Sequence, residues 1–265
     1  DFCVVNKTIN QKQMTIVWYV DNLKLSHIDP TVVTNMIDTF KAEFGKIFDL
    51  RIQRGNLHNY LGIEFDFSDK GKVMMSMSDY ISELLDKTPD DLVGGSGSTS
   101  AGNHLFVTNP SCKKLDEKST TLYHHLTAKL LYLSKRTRPD LLTAVLFLCT
   151  RVQSPDTDDW KKLGRCMTYL KNNKDLKYTL GGDAQWNIKW WIDASYGVHS
   201  DMRSHTRGII SFGQGGLVCK SSKPKLNTKS STKAKVFGAS NPPHTQPQHP
   251  TDVPRPTIST EGERG

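Results

Sequence analysis

The chain has 265 residues, 36% of them hydrophobic and 23% charged, with a net charge of +8. That length supports one or two domains with real cores, and the composition fits a soluble globular protein with some disordered length. No apolar run approaches the roughly 20 residues that cross a bilayer, so membrane partners are excluded. Five widely spaced cysteines (Cys3, Cys112, Cys149, Cys166, Cys219) include no Cys-x-x-Cys pair. They argue against a disulfide framework or zinc knuckle and for a reducing, intracellular compartment, cytoplasmic or nuclear, with no disulfide partner. Cys149 and Cys166 fall on apolar helical faces and read as inert core residues. The start, Asp1-Phe2-Cys3-Val4-Val5, lacks an initiator Met and a signal-peptide pattern, and reads as a fragment or processed product.

In chain order, Met14-Thr15-Ile16-Val17-Trp18 and Leu23-Lys24-Leu25 flank Tyr19-Val20-Asp21-Asn22. Two β-rich runs with an aspartate between them predict a hairpin whose tip pushes a carboxylate out of the sheet. A hard oxygen ligand in that position suits a divalent metal; a plain turn residue is the simpler reading. Asp29 and Pro30 then predict a helix start. Val33, Met36 or Ile37, Phe40 and Phe44 keep helical spacing up to Gly45. Asp49 to Gln53 and Tyr60 to Phe67 read as strands, and Val73 to Met77 completes a hairpin around Ser68-Asp69-Lys70-Gly71. Asp66 and Asp69 are explained by that turn. A helix through Tyr80, Ile81, Leu84 and Leu85 stops before Pro89.

Gly94 to Gly102 reads as a flexible linker by composition and divides the chain. Beyond it, apolar stripes predict helices over Thr120 to Lys135, Pro139 to Val152 and Asp158 to Lys171, the last capped by Asp156 or Asp158. A mainly β segment follows: Ile188 to Ile192 running into Asp193-Ala194-Ser195, then Gly208 to Phe212 and Gly216 to Lys220. Ser230-Ser231-Thr232 opens a helix. From Asn241 onward the chain is Pro-rich and aperiodic, and is expected to be disordered.

The charge is unevenly placed. Between Asp201 and Asp252 there is no acidic residue, while Arg203, Arg207, Lys220, Lys223, Lys225, Lys229, Lys233 and Lys235 all fall there. A field of one sign suggests a polyanion, and a solvated basic face is the alternative. His124, His125, His199 and His205 match no metal-ligand spacing and read as surface or capping residues. Asp201 reads as a loop residue.

These landmarks resemble the reverse transcriptase and ribonuclease H region of copia-type retrotransposon polyproteins, over about residues 14–240. The markers, in family order, begin with Tyr19-Val20-Asp21-Asn22, Tyr60-Leu61-Gly62 and Leu130-Leu131-Tyr132-Leu133-Ser134. Thr137-Arg138-Pro139-Asp140, Tyr169-Leu170-Lys171, Asp193-Ala194-Ser195 and Lys229-Ser230-Ser231-Thr232-Lys233-Ala234-Lys235 follow. The resemblance implies a mixed α+β/α/β architecture. Residues 1–93 would be the C-terminal part of a polymerase palm and the start of a thumb, 94–118 a flexible linker and 119–180 a helical connection. Residues 181–240 would be a truncated ribonuclease H-like sheet domain, and 241–265 a disordered tail.

It also implies Mg²⁺, with Asp21 and Asp193 at the family's catalytic, metal-holding positions. Two departures stand out. The second aspartate of the Tyr-x-Asp-Asp box is Asn22, and both glutamates of the family's Ser-Ser-Thr-Glu-Ala-Glu motif are lysines. Lys235 takes the catalytic place, on a helix expected to face Asp193. A cation there repels a metal. The resemblance therefore implies vestigial sites and a chain inactive by itself. Its alternative is a retained module for RNA–DNA hybrid or duplex, bound through Arg203, Arg207, Lys220, Lys223, Lys225 and Lys229.

Overall fold

Three antiparallel strands open the chain: β1 (Val4–Ile9), β2 (Lys12–Tyr19) and β3 (Asn22–Ser26), in that order across the sheet. The computed structural model describes residues 3–240 other than 48, 96, 184–186 and 226; the tail expected to be disordered, 241–265, lies outside them. Asn10 and Gln11 both take positive φ, which matches the right-handed twist of a two-residue hairpin. The polar β1 carries no alternating apolar signal, so nothing in its sequence marks it as a strand. Helix α1 (Pro30–Phe44) starts as expected, with the Asp29 carboxylate accepting from the Thr31 N–H at 2.8 Å and proline in the first turn.

Residues 49–53 form no strand. Side chains tie this stretch down in place of a ladder: Arg54 donates to Thr34 Oγ1, and Gln53 Oε1 accepts from the Asn59 N–H. Nor is Tyr60 to Phe67 one strand. It is two, β4 (Leu57–Tyr60) and β5 (Ile63–Asp66), folded back at Leu61 and Gly62, both with positive φ. Tyr60-Leu61-Gly62 is therefore a tight turn, with Leu61 and Gly62 taking its two left-handed positions, the second at no steric cost.

The next strands cross the expected division of the chain. β6 (Lys72–Ser76) pairs on one side with β5 and on the other with β7 (Tyr178–Gly182), and β10 (Gly213–Gln214) pairs with β7. One five-stranded sheet, β10-β7-β6-β5-β4, thus takes strands from both sides of the glycine-rich segment. Every strand pair among the described residues is antiparallel.

A helical block carries the core. It comprises α2 (Ser78–Asp86), α3 (Glu117–Ser134), α4 (Leu142–Cys149) and α5 (Thr157–Asn172). Asp116 caps α3 by accepting from the Ser119 N–H. Asp156 and Asp159 form a reciprocal capping box on α5, with Arg151 bridging both carboxylates. Ile81, Leu84, Leu126, Leu130, Leu133, Leu148, Leu163 and Met167 are all buried together. Each such leucine contributes about 1.5–3 kcal/mol by leaving water. Burial pushes the Cys166 thiol up to about 12, consistent with an inert core residue.

Before α4, Pro139–Leu141 forms a 3₁₀ turn, shaped by Arg138, which is 2% exposed. Its guanidinium donates to both Asp140 oxygens and to the Asn173 carbonyl, fastening the two ends of the block together.

The segment read as a flexible linker is docked in the structure. A Cβ added at Gly97 would lie 2.9 Å from the Tyr169 backbone N, and one at Gly164 would lie 2.7 Å from the Leu92 carbonyl oxygen. Ser100 donates to the Asp140 carbonyl, and Arg165 donates to Thr99. The glycines here permit close approach of two backbones, a role that composition does not distinguish from flexibility.

The last sheet has the order β11-β9-β8, from β8 (Lys189–Ser195), β9 (His205–Ser211) and β11 (Val218–Ser222). Helix α6 (Ser231–Ser240) covers one face, with Ala234 buried and Gly238 against Ile192 and Thr206. Among the described residues no helix is long and apolar enough to cross a membrane.

Candidate metal and nucleic-acid sites

Asp21 sits where the sequence predicts, at the tip of the β2–β3 hairpin. Tyr19 and Asn22 close the turn as a cross-strand pair, and Val20 projects into solvent at 87% exposure with φ 55°. A β-branched residue at positive φ is costly, so the tip is held in shape against a local preference. The Asp21 carboxylate accepts a hydrogen bond from the neighbouring Asn22 amide, 3.0 Å away. This is one exposed carboxylate with a neutral companion.

Asp193 lies in β8, directly across from Arg207 of β9. Its carboxylate is 63% exposed and its ion partner is the Arg207 guanidinium at 3.7 Å. Side chains alternate along a strand. Gly238 of α6 packs on Ile192, so Asp193 belongs to the opposite face. The expected arrangement, with Lys235 on a helix facing Asp193, is therefore corrected: α6 covers the other face, Lys235 is exposed, and the cation beside Asp193 is Arg207.

Mg²⁺ demands a near-octahedral set of oxygens, and catalytic two-metal sites need carboxylates converging from several elements. Asp21 belongs to the first sheet and Asp193 to the last. Among the described residues no group of three or more His, Cys, Asp or Glu side chains could hold a metal ion. Neither aspartate, with an amide or a guanidinium as its companion, fits the group that the family resemblance implies.

The basic residues divide into two kinds. Arg207 is engaged by Asp193. Arg203 and Lys223 both hold Asp201, at 3.4 and 2.8 Å, and these cations keep the Asp201 carboxyl below its usual range. Asp201 is thus more than a loop residue, because it neutralises part of the basic field. Lys220, Lys225 and Lys229 have no salt-bridge partner among the described residues. Half of the six expected phosphate-binding side chains therefore already face a carboxylate. On β8, Trp190 and Trp191 stay partly exposed, at 39% and 53%. Alternation signals them in the sequence only as strand residues.

His124 and His125 are exposed on α3, as expected. His199 and His205 are not surface residues. They are 5% and 4% exposed and touch each other, a contact of the β8–β9 loop with the start of β9 that the sequence spacing does not announce.

The chain is 26% identical over 209 residues to a transposon Ty5-1 protein of Saccharomyces cerevisiae, covering 77% of this chain and 64% of that protein. It is 27% identical over 224 residues to the retrovirus-related Pol polyprotein from transposon RE2 of Arabidopsis thaliana, covering 84% of this chain and 15% of that one. With the corresponding polyprotein from transposon TNT 1-94 of Nicotiana tabacum the identity is 23% over 246 residues, covering 90% and 18%. The chain thus spans less than two thirds of the length of each of these relatives. No family model matches it, and no solved structure does. Over most of its length, the chain is similar to transposon-encoded, retrovirus-related Pol polyproteins.

Proposed function

We propose that the chain derives from the reverse transcriptase and ribonuclease H region of a copia-type retrotransposon polyprotein and is catalytically inactive by itself. The ordered markers from Tyr19 to Lys235 and the similarity to transposon Pol polyproteins support the origin. The observation that carries the inactivity is the setting of Asp193, an exposed carboxylate paired with Arg207 and joined in no metal-holding group among the described residues. A two-metal displacement needs converging carboxylates, and among the described residues no group of acids converges with Asp193 to supply them. Incubation with a primer–template, nucleotides and Mg²⁺ should give no extension, and an RNA–DNA hybrid should stay intact. Extension or robust cleavage by the unmodified chain would overturn the reading.

A second reading has its own observation. Lys220, Lys225 and Lys229 lack acidic partners among the described residues, beside a sheet that exposes two tryptophans. Cations of this kind neutralise phosphates without regard to sequence, and exposed aromatics stack on bases. Retention of a nucleic acid that weakens steeply with salt would support a binding module. Absence of binding at low salt would reject it.

A further inference from the structure

A line of four side chains runs from the loop after β8, across the last sheet and onto the helical block. His199 Nε2 lies 3.1 Å from His205 Nδ1, and His205 Nε2 lies 2.6 Å from Ser221 Oγ in β11. Ser221 Oγ is 3.5 Å from Thr143 Oγ1 of α4. Phe106 covers both imidazoles at 4.9 Å and stands edge-on to Phe147 of α4. Both histidines and Ser221 are buried, so this line is the polar seam between sheet and helices.

Proton accounting limits what the seam tolerates. Each ring-to-ring or ring-to-hydroxyl contact needs one hydrogen between its two atoms. Two neutral imidazoles satisfy this, one nitrogen donating and the other accepting. When both rings are imidazolium, every ring nitrogen carries a hydrogen, and the 3.1 Å contact sets one N–H against another.

The surroundings offer the charged rings little. Lys223, from the segment after β11, and Arg207 of β9 oppose protonation. Asp201 is the one carboxylate favouring it among the described residues, and Lys223 and Arg203 already hold that group. Helix α4 presents Thr143 and Phe147, and the 105–107 loop presents Phe106; none of these titrates. The cation behind them, Lys162 of α5, lies over the Phe147 ring and is engaged by Asp158.

We propose that the His199–His205–Ser221 line is an acid-opened clasp, holding the β8–β9–β11 sheet on the helical block until the imidazoles take up protons. Burial, first among the causes, brings both histidines down to about 4 from an ordinary 6.5. A folded value below the open-state value means that the closed form binds fewer protons. Attachment is therefore complete above 6.5 and is lost as the pH falls towards 4. With up to two protons taken up on opening, the open-to-closed ratio grows about 10-fold per pH unit near 6.5 and approaches about 100-fold per unit midway to 4.

The test is amide hydrogen exchange on the full chain between about pH 6.5 and 5, where most carboxylates stay ionised, corrected for intrinsic exchange. Protection of β9 and β11 should fall by roughly 30-fold between about pH 6.5 and 5.5 and more steeply below, while α3 and α5 hold theirs. In a His199→Phe, His205→Gln double variant the pH dependence should vanish. If that variant does not fold, the imidazole proton resonances of the unmodified chain decide. Both rings should stay neutral well below about pH 6. Protection unchanged across the window, or imidazoles titrating near their ordinary value, would overturn the clasp.

Discussion

The helical block and the N-terminal sheet are built on opposite terms. In the block, leucines from α3, α4 and α5 are wholly buried and Arg138 is sealed between two segments. Among the described residues up to position 62, the buried hydrophobics are Met14 and Val32, while Val5, Leu23, Ile28, Phe44 and Leu57 remain exposed. The resemblance puts a family catalytic position in the lightly packed region and a structural one in the dense region. A chain can therefore keep its core while its hairpin tips change. Asn22, on an exposed turn, meets no packing constraint.

The largest effects should come from the dense side of this contrast. Leu130→Ala should cost about 2–5 kcal/mol, as transfer and cavity terms add. Leu23→Ala, at a half-exposed site, should cost well under about 1 kcal/mol. Denaturant midpoints of the two variants check the pair. Equal costs would mean that the N-terminal sheet is packed as tightly as the helices.

Next in size is the contact of α5 with Leu92, just before the docked glycine segment. Gly164→Ala gains about 1 kcal/mol of helix propensity, but its Cβ would meet the Leu92 carbonyl oxygen at 2.7 Å. Backbone cannot swing aside as a flexible side chain can. We expect net destabilisation of about 1–3 kcal/mol, together with faster cutting of 94–102 by a non-specific protease. In the parent chain, the exposed stretch around residues 49–56 should be cut before 94–102. The reverse order would restore the reading of that segment as a free linker.

A smaller effect concerns the contact between the first two sheets. The Lys24 ammonium lies 5.1 Å from the ring centroids of both Phe65 and Phe67, and burial lowers its pKa. Lys24→Ala should cost about 0.5–1 kcal/mol. The loss should show as faster amide exchange in β2 and β3, with α3 unaffected.

For binding, the ion pairs set the ranking. Neutralising Lys220, Lys225 and Lys229 together should reduce the salt slope on duplex by roughly 0.9 for every phosphate that is no longer neutralised. Lys223, held by Asp201, should contribute less. An unchanged slope in the triple variant would make these lysines a solvated face.

Legibility in the sequence follows the range of the interactions. Helices α3 and α5 are visible because their apolar stripes, and for α5 its cap at Asp156, are local signals, although the Asp116 cap starts α3 three residues before the expected Thr120. The β2–β3 hairpin is visible for the same reason. Strand β7 is not, because Tyr178-Thr179-Leu180-Gly181-Gly182 lacks alternation and its partner β6 lies far earlier in the chain. The 49–53 run looks like a strand, but a strand needs a neighbour and none is there among the described residues. Asp21 and Asp193 are found from their motifs, whereas their settings are not. The pairing of Asp193 with Arg207 depends on the β8–β9 register, and the His199–His205 contact on how the loop returns.

Asp193, engaged by Arg207 and without converging carboxylates among the described residues, should support no metal-dependent cleavage. The most direct test is an RNA–DNA hybrid cleavage assay in Mg²⁺, run on the parent chain beside Asp193→Asn and Arg207→Ala. The hybrid is predicted to stay intact with all three proteins. Cleavage by the parent chain that disappears in Asp193→Asn would contradict this claim.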